Sequence, residues 1–307
     1  MAHKVIVFGG SGMLGSMVAD VLSRDPSFSV TATARNRALI DRLHTRAPEV
    51  NWVEFDIEKE EWPRSFFCRD SWIINAIGVT KPYIVDTRRE TIARAVKVNV
   101  AFPLELANCA EYYDANVLQI ATDCVFSGRN GPYTEDAEHD ALDTYGKTKS
   151  LGEVCSPNVR HLRASIIGPE PRGYRYLLEW FCHQPRDAKV GGYIDHYWNG
   201  ITTLAFARIC HGMIKSDACT PHVQHIVPQD QLSKRDLLRI FSVYFKRDDI
   251  VVACTPTDDP VNRVLATQNI DLNVQLWQAA GYDVPPMLSE LVAELAAFDY
   301  RFARIDQ

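Results

Sequence analysis

The sequence predicts an α/β fold in which a doubly wound parallel sheet is followed by a smaller C-terminal α/β cap. Three observations predict it. Short apolar runs alternate with segments of helical apolar spacing from Lys4 to about residue 168. A glycine-rich turn follows the first apolar run, and beyond residue 168 the alternation stops. Because strands and helices that alternate at this spacing form right-handed crossovers, we expect a parallel, Rossmann-like sheet.

The first half of the chain alternates between strand and helix. Lys4–Phe8 is a short apolar run, as expected of a buried parallel strand, and Met13–Ser23 has apolar residues at helical spacing. By the same patterns, the later strands are predicted at Ser29–Ala34, Asn51–Phe55, Trp72–Asn75, Asn116–Ala121 and Val159–Ile166. The later helices are predicted at Arg37–Thr45, at Thr87–Tyr112 with a break near Pro103, and around Tyr145.

Beyond residue 168 the pattern predicts a different unit. Pro169–Gly173 is a predicted loop, and Val190–Trp198 is a mixed polar and aromatic stretch. Helices are predicted at Tyr174–His183, Ile201–Ile214, Ser233–Phe245 and Met287–Phe298. We therefore predict a first domain over residues 1–168 and mainly a cap over residues 169–307, with part of the chain around 200–230 returning to the sheet. Ligands of such sheets bind in the crevice outside the strand ends, so the cap is predicted to bind the substrate.

Composition and charge exclude several functional classes. The chain has 307 residues, of which 46% are hydrophobic and 23% charged, as in ordinary globular proteins. Its formal net charge of −6 argues against nucleic-acid binding, since phosphate neutralisation requires a basic face. No signal peptide is visible, no apolar run approaches the roughly 20 residues of a membrane helix, and the cysteines form no disulfide framework. We expect a cytoplasmic protein without nucleic-acid or membrane partners.

The glycine-rich turn predicts a dinucleotide site. Gly9, Gly12 and Gly15 lie between a predicted strand and a predicted helix, which is the context that this motif requires. Glycines there permit a tight turn, close approach of a pyrophosphate and close packing of the helix, whose N-terminus favours the anion. The alternative is a plain strand–helix turn.

The end of the second strand bears on which dinucleotide binds. Sites selective for NAD usually place Asp or Glu there, whereas this chain has Arg35, Asn36 and Arg37. A guanidinium suits a 2′-phosphate, so the sequence favours NADPH (NADP) over NADH. The alternative is that Arg35 and Arg37 are solvated surface charges.

Residues that close the third and fourth strands follow the order of a cofactor groove. Asp56 and Ile57 could flank the adenine, Asn75–Ile77 lies beside the cofactor, and Asn99 could hold a backbone group or a water. Each of them is equally compatible with a structural role. The predicted cofactor-binding residues are Gly9, Ser11, Gly12, Met13, Leu14, Arg35, Asp56, Ile57, Asn75, Ala76, Ile77, Tyr145 and Lys149.

Tyr145 and Lys149 predict acid–base chemistry at a carbonyl. Four residues apart on a helix, they lie one turn from each other on the same face. There the ammonium is expected to pull the pKa of the phenol down from about 10 toward neutrality. The hydroxyl of Thr122 could help to polarise the carbonyl. With a nucleotide turn upstream, the simplest reaction is hydride transfer, with Thr122, Tyr145 and Lys149 as catalytic residues.

A metal site is not predicted. Cys219, His222 and His225 have metal-like spacing, but the segment from His222 to Val227 is a predicted strand. A step of three residues there points the two imidazoles to opposite faces.

The whole pattern resembles the extended short-chain dehydrogenase/reductase superfamily. Within it, the chain resembles the dTDP-4-dehydrorhamnose reductase family, in order from residue 4 to about 245 and most specifically from 121 to 168. The segments that carry the resemblance are Ala121–Gly128, Gly131–Glu135, Tyr145–Glu153, Arg163–Gly168 and Gly200–Thr203.

The resemblance implies NADPH-dependent reduction of the 4-keto group of a nucleotide-linked 4-keto-6-deoxysugar, in deoxysugar or polysaccharide precursor biosynthesis. In that scheme Tyr145 delivers the proton, Lys149 holds the nicotinamide ribose, and Thr122 hydrogen-bonds the carbonyl oxygen. The implied substrate-binding residues are Asp123, Cys124, Tyr145, Ile166 and Trp198. The implied partner is the nucleotide-sugar substrate, and the sequence is compatible with a homodimer without predicting one.

Two departures from the family pattern concern the sugar. The family usually has Tyr where this chain has Cys124, and commonly an aromatic residue where it has Ile166. The pocket thereby loses a hydrogen bond and a stacking surface, which indicates a different sugar or base. Trp180, Tyr193, His196 and Trp198 are candidates to replace the stacking, or else pack within the cap.

Two other functions remain open at this point. Some relatives, such as the regulatory subunit of methionine adenosyltransferase, use this fold as a non-catalytic partner-binding module, although the retained Thr122, Tyr145 and Lys149 weigh against it. The other is a sugar-nucleotide epimerase or dehydratase. Dehydratases usually have an Asp–Glu pair after the Thr, where this chain has Asp123 and Cys124, and an epimerase would more naturally have an acidic residue in place of Arg35.

Overall fold

A seven-stranded, fully parallel sheet forms the centre of the molecule. The computed structural model describes residues 2–59, 66–218 and 220–305. The strands lie in the order β11-β6-β5-β4-β1-β2-β3. Their bounds are β1 His3–Phe8, β2 Phe28–Ala34, β3 Asn51–Glu54, β4 Trp72–Asn75, β5 Asn116–Ala121, β6 Val159–Arg163 and β11 Val223–His225. The predicted α/β fold with a Rossmann-like parallel sheet is confirmed.

The helices of the first half connect these strands. They are α1 Met13–Ser23, α2 Arg37–Arg46, α3 Arg89–Val96, α4 Phe102–Tyr113 and α5 Thr144–Leu151. The long helix predicted over Thr87–Tyr112 is divided by a wide, π-helical turn at Lys97–Ala101, directly before α4. Pro103 has no N–H for the carbonyl one turn back, and its ring would crowd that carbonyl in a regular helix. The wide turn accommodates it.

Three predicted boundaries after β5 are wrong. The sixth strand ends at Arg163, because Ile166–Ile167 leaves the main sheet as β7 and pairs with β10, Ile201–Thr202. The helix predicted from Ile201 therefore starts at Thr203, capped by the Thr202 hydroxyl. The helix predicted from Tyr174 starts only at Leu177, since Tyr174 has a left-handed backbone with φ of 47°.

The rest of the chain builds the cap and returns to the sheet. Its helices are α6 Leu177–Cys182, α7 Thr203–Ser216, α8 Lys234–Tyr244, α9 Ile270–Ala279 and α10 Leu288–Ala297. Its strands outside the main sheet include β8 Lys189–Tyr193, β9 His196–Trp198, β12 Leu232–Ser233, β13 Val251–Thr255 and β14 Val261–Asn262. Strand β11 joins the main sheet beside β6, and α7 packs on α1. Helix α9 was not predicted.

The residues after α10 cross back to the first helix. The Tyr300 hydroxyl lies 2.5 Å from Ser16 Oγ, and Arg301 Nε lies 2.7 Å from Asp20 Oδ1. Phe302 is fully buried with its ring edge-on to Trp52. A single hydrophobic core therefore contains side chains from both sides of residue 168. Within the described residues, no helix combines the length and the apolar character needed to cross a membrane.

Candidate active site

The glycine-rich turn between β1 and α1 is tight and leaves no room for a side chain at Gly15. Gly9 has φ of 81°, and its carbonyl oxygen accepts a hydrogen bond of 2.9 Å from Gly12 N. A Cβ at Gly15 would collide with that carbonyl, so only glycine allows α1 to pack this close to the turn. Gly12 is the N-cap of α1, and the space beside its Cα is not filled by neighbouring atoms. The first amides of α1 are therefore accessible to an anion.

A cavity of about 480 Å³ opens at this turn. Eight of the predicted cofactor-binding residues line it: Gly9, Ser11, Gly12, Met13, Arg35, Ile57, Ala76 and Ile77. Three others lie behind its wall. Leu14 is buried in the core, Asp56 accepts a hydrogen bond from Glu58 N, and Asn75 donates to Gln119 and accepts from Ile77 N. These three shape the cavity without lining it.

The cavity also contains arginines that the sequence analysis did not single out. Besides Arg35, its lining includes Arg94, Arg172 and Arg175. Arg94 is bound by Glu58 through two contacts of 2.9 Å, and Arg175 stacks over the Tyr83 ring. They come from α3 and from the loop before α6, which no local motif connects to the glycine turn. Arg37, in contrast, is an exposed side chain paired with Asp41, so it is a surface charge.

Thr122, Tyr145 and Lys149 meet where β5 ends. Thr122 directly follows β5, and Tyr145 lies in the first turn of α5, which Asp143 caps by accepting a hydrogen bond from Gly146 N. Thr122 hydrogen-bonds Tyr145, and Lys149 Nζ donates to Ile120 O at 3.0 Å. Neither Tyr145 nor Lys149 lines the large cavity.

Burial has the largest effect on the pKa values of Tyr145 and Lys149. It raises the pKa of Tyr145 well above 10, the nearby Cys124 and Asp123 raise it further, and the Thr122 hydrogen bond only partly opposes this. Burial lowers the pKa of Lys149 to about 8, against the attraction of Glu153. The expectation that Lys149 brings the Tyr145 pKa toward neutrality is therefore wrong for this structure, because desolvation of the phenolate is the larger effect. Tyr145 is a protonated donor at neutral pH.

A buried charge network lies behind Lys149. Arg163 is fully buried, with Nη2 at 2.5 Å from Glu153 Oε2 and 3.0 Å from His139 Nε2, and Nη1 at 2.8 Å from His225 Nε2. Burial and Arg163 lower the pKa of His225 to about 4, so its imidazole is neutral and accepts the arginine hydrogen bond. The network fixes the end of β6 and β11 next to α5.

The histidines with metal-like spacing have other partners. His225 binds Arg163 and the Ala266 carbonyl, whereas the His222 ring lies edge-on to His161. Cys219 lies outside the described residues. Among the residues that are described, no three His, Cys, Asp or Glu side chains are grouped as metal ligands.

A second cavity of about 290 Å³ adjoins the catalytic group. Four of the five predicted substrate-binding residues line it together, namely Asp123, Cys124, Ile166 and Trp198, whereas Tyr145 does not line it. Tyr176 lines both cavities and so stands between them. Of the aromatic candidates, His196 and Trp198 line it, whereas Trp180 and Tyr193 do not.

The same cavity contains two cations that sequence reasoning missed. Lys234 begins α8, and Arg263 follows β14. Both lie more than a hundred residues after Asp123. Glycines allow the segment before Arg263 to approach, because a side chain at Gly128 or Gly131 would collide with Val261 or Asn262. No signal in the sequence reveals this contact.

Comparison with known families and proteins gives one family and several relatives. The sequence model of the RmlD substrate binding domain family matches residues 3–167. The dTDP-4-dehydrorhamnose reductase of Mycolicibacterium smegmatis is 29% identical over 182 residues, 59% of this chain and 46% of that protein. The methionine adenosyltransferase 2 subunit beta of Danio rerio is 25% identical over 246 residues, 76% of this chain and 72% of that protein. The chain thus spans about half the length of its reductase relatives.

Solved structures share the fold over nearly the whole chain. A dTDP-4-dehydrorhamnose reductase from Bacillus anthracis, in complex with NADP, has a TM-score of 0.67 at 16% identity, covering 96% of this chain and 99% of that one. A UDP-glucuronic acid 4-epimerase from Bacillus cereus, in complex with NAD, has a TM-score of 0.71 at 16% identity, covering 97% and 96%. At these identities the likeness concerns the fold.

Proposed function

The chain belongs to the RmlD substrate binding domain family, and from this premise we propose that it is an NADPH-dependent reductase of a nucleotide-linked 4-keto-6-deoxysugar, acting in deoxysugar or polysaccharide precursor biosynthesis. One observation carries the proposal. Thr122 and Tyr145 are hydrogen-bonded to each other beside Asp123 and Cys124, which line the smaller cavity, and Tyr176 lines both that cavity and the one at the glycine-rich turn. We assign the dinucleotide cofactor to the cavity at the glycine-rich turn and the sugar ring to the smaller one.

The residues around the larger cavity fit a dinucleotide. The first turn of α1 supplies unpaired amides to a pyrophosphate, and the strand ends supply apolar surfaces at Ile57, Ala76 and Ile77. Arg35 at the end of β2 supports NADPH over NADH, because a guanidinium can bind a 2′-phosphate in bidentate geometry. When bound, the reduced nicotinamide supplies a hydride to the carbonyl carbon.

The chain's own residues handle the proton. The Tyr145 hydroxyl, kept protonated by burial, donates its proton to the carbonyl oxygen as negative charge develops there. The Thr122 hydroxyl holds the same oxygen by a hydrogen bond. Lys149 is charged below about pH 8 and lies one helical turn from Tyr145, so its ammonium stabilises the phenolate left after proton transfer and binds the nicotinamide ribose.

The test is NADPH oxidation with a panel of dTDP-, UDP- and GDP-linked 4-keto-6-deoxysugars. We expect turnover with at least one of them, and about a hundredfold or greater loss in Tyr145→Phe. Tyr112→Phe is the matched control, because that ring lies on the surface. An absence of turnover across the panel, with NADPH bound, contradicts the proposal.

A second candidate function is a non-catalytic subunit. It is favoured by the Danio rerio relative, which is a methionine adenosyltransferase subunit and is matched over 72% of its length. If so, we expect a partner enzyme to copurify with the chain, and the activity of that enzyme to change when the chain binds. We also expect Tyr145→Phe to leave that effect intact. Retention of the Thr122, Tyr145 and Lys149 group supports the reductase instead.

A further inference from the structure

Two cations in the smaller cavity have no role in the proposed reduction of the carbonyl group. Lys234 and Arg263 both line the cavity beside Asp123 and Cys124. Neither cation takes part in the proposed proton transfer, and neither takes part in the hydride transfer.

Lys234 is the less explained of the two. It is half-buried, and burial lowers its pKa, yet its ammonium makes no hydrogen bond or ion pair with any residue that the structure describes. It occupies the first position of α8, which Ser233 caps. A cation at a helix N-terminus opposes the helix dipole, where an acidic residue would be favourable. Stability of the helix therefore does not account for Lys234.

Arg263 is held in place by the backbone. Its Nε donates to Phe126 O at 2.9 Å and its Nη2 to Ser127 O at 3.2 Å. Its Nη1 has no hydrogen-bond partner among the described residues. The guanidinium is thus fixed at the cavity wall with donor capacity to spare.

The charges of the cavity do not balance. Asp123 is its acidic lining residue, and it forms no ion pair with either cation among the described residues. Burial raises the pKa of Asp123, while the charges of Arg263 and Lys234 oppose that rise. Lys81, another nearby cation, is already paired with Asp143 at 2.8 Å. Two cations against one carboxylate leave a partly enclosed space with net positive charge, which favours an anion.

We propose that Lys234 and Arg263 form an anion subsite that binds a negatively charged oxygen group of the nucleotide sugar. The group is either the diphosphate or a carboxylate on the sugar ring, and both offer the oxygens that an ammonium and a guanidinium bind. The inference rests on the proposed function and deepens it, since it assigns a charged substrate group to this cavity.

The test is calorimetric binding of unreactive probes to the full chain saturated with NADPH. The probes are UDP, UDP-glucose, UDP-glucuronate, dTDP, dTDP-glucose, GDP and GDP-mannose. We expect Lys234→Met to weaken binding by about 10- to 100-fold, with partial rescue in Lys234→Arg. Lys189→Met, on the exposed side of β8, is the control with unchanged affinity. NADPH affinity, unchanged in all variants, reports that each of them is folded.

The pattern across probes identifies the group. An equal loss for UDP, UDP-glucose and UDP-glucuronate assigns the diphosphate, and a loss confined to UDP-glucuronate assigns a sugar carboxylate. Unchanged affinities in Lys234→Met, when wild type binds the probes, overturn the subsite and leave the reductase proposal standing. If wild type binds NADPH but none of the probes, the proposed function fails and the subsite fails with it.

Discussion

Lys149 has the charge most sensitive to pH among the candidate catalytic residues. Burial lowers its pKa from the ordinary 10.5 to about 8, so the ammonium is present below that pH and lost above it. Tyr145 stays protonated through this range, because its own pKa is raised. We predict that kcat/KM, which reports the free enzyme, is flat near neutrality and falls as pH rises through about 8.

Glu153 provides the test of this assignment. Its carboxylate raises the pKa of Lys149, so Glu153→Gln moves the falling limb of the kcat/KM profile to lower pH. The matched control is Glu138→Gln, at an exposed position of the same region. Because Glu153→Gln leaves Arg163 without its carboxylate partner, circular dichroism must show a folded variant. An unmoved limb in a folded Glu153→Gln protein contradicts the role of Lys149.

Arg35 and Arg37 form a natural pair for testing cofactor preference. Arg35 lines the larger cavity, whereas Arg37 is exposed and paired with Asp41. We predict that Arg35→Ala weakens NADPH binding by about 10-fold or more and leaves NADH binding nearly unchanged, since only NADPH has the 2′-phosphate. Arg37→Ala should change neither. Equal losses for both cofactors in Arg35→Ala would show that Arg35 does not read the 2′-phosphate. The measurement is titration of each variant with both cofactors.

At the scale of elements, the wide turn between α3 and α4 has a structural purpose. It presents Asn99, whose side chain accepts a hydrogen bond from Val79 N at 2.8 Å and donates to Val79 O at 2.9 Å and to Thr148 Oγ1 at 3.1 Å. The turn therefore ties the loop after β4 to the helix that contains Tyr145. The role predicted for Asn99, to hold a backbone group, matches these bonds.

We predict that Asn99→Ala lowers the free energy of unfolding by about 2 kcal/mol or more. The substitution leaves the buried N–H and C=O of Val79 without partners, and each such group costs about 1–3 kcal/mol. Urea denaturation measures the change. Asn51→Ala, which removes an exposed hydrogen bond to Thr31, is the control and should cost far less. Equal costs for the two variants would contradict the role of Asn99 as a clamp.

Elements set by local signals could be predicted from the sequence, and those set by distant contacts could not. Helix α1 and strands β4 and β5 have the predicted bounds, because apolar spacing and flanking turn residues define them. Strand β7 was missed, since Ile166 and Ile167 pair with residues 35 positions later along the chain. The candidate site divides in the same way: the glycine turn is local, whereas Lys234 and Arg263 reach Asp123 only through the packing of the cap.

At the scale of the whole molecule, the residues after α10 pack against the first half of the chain. Residues 300–302 contact α1 and β3, so the end of the cap packs against the helix that follows the glycine turn. Asp20 on α1, fully buried, receives hydrogen bonds from both Arg24 and Arg301. The domain division at residue 168 stays a prediction, and the hydrophobic core is shared across it.

This shared core predicts that the described molecule unfolds in one cooperative transition. Phe302→Ala removes a fully buried ring that packs against Trp52, and such a substitution costs about 3–5 kcal/mol. In this variant, native-state hydrogen exchange should show equal loss of protection in β1 and in α10, although only α10 is near residue 302 in the sequence. Tyr112→Ala, at a ring that is 82% exposed, is the control and should change stability by less than about 0.5 kcal/mol. Loss of protection in α10 alone would mean that the cap unfolds independently, and that the contacts of residues 300–302 do not couple it to the sheet.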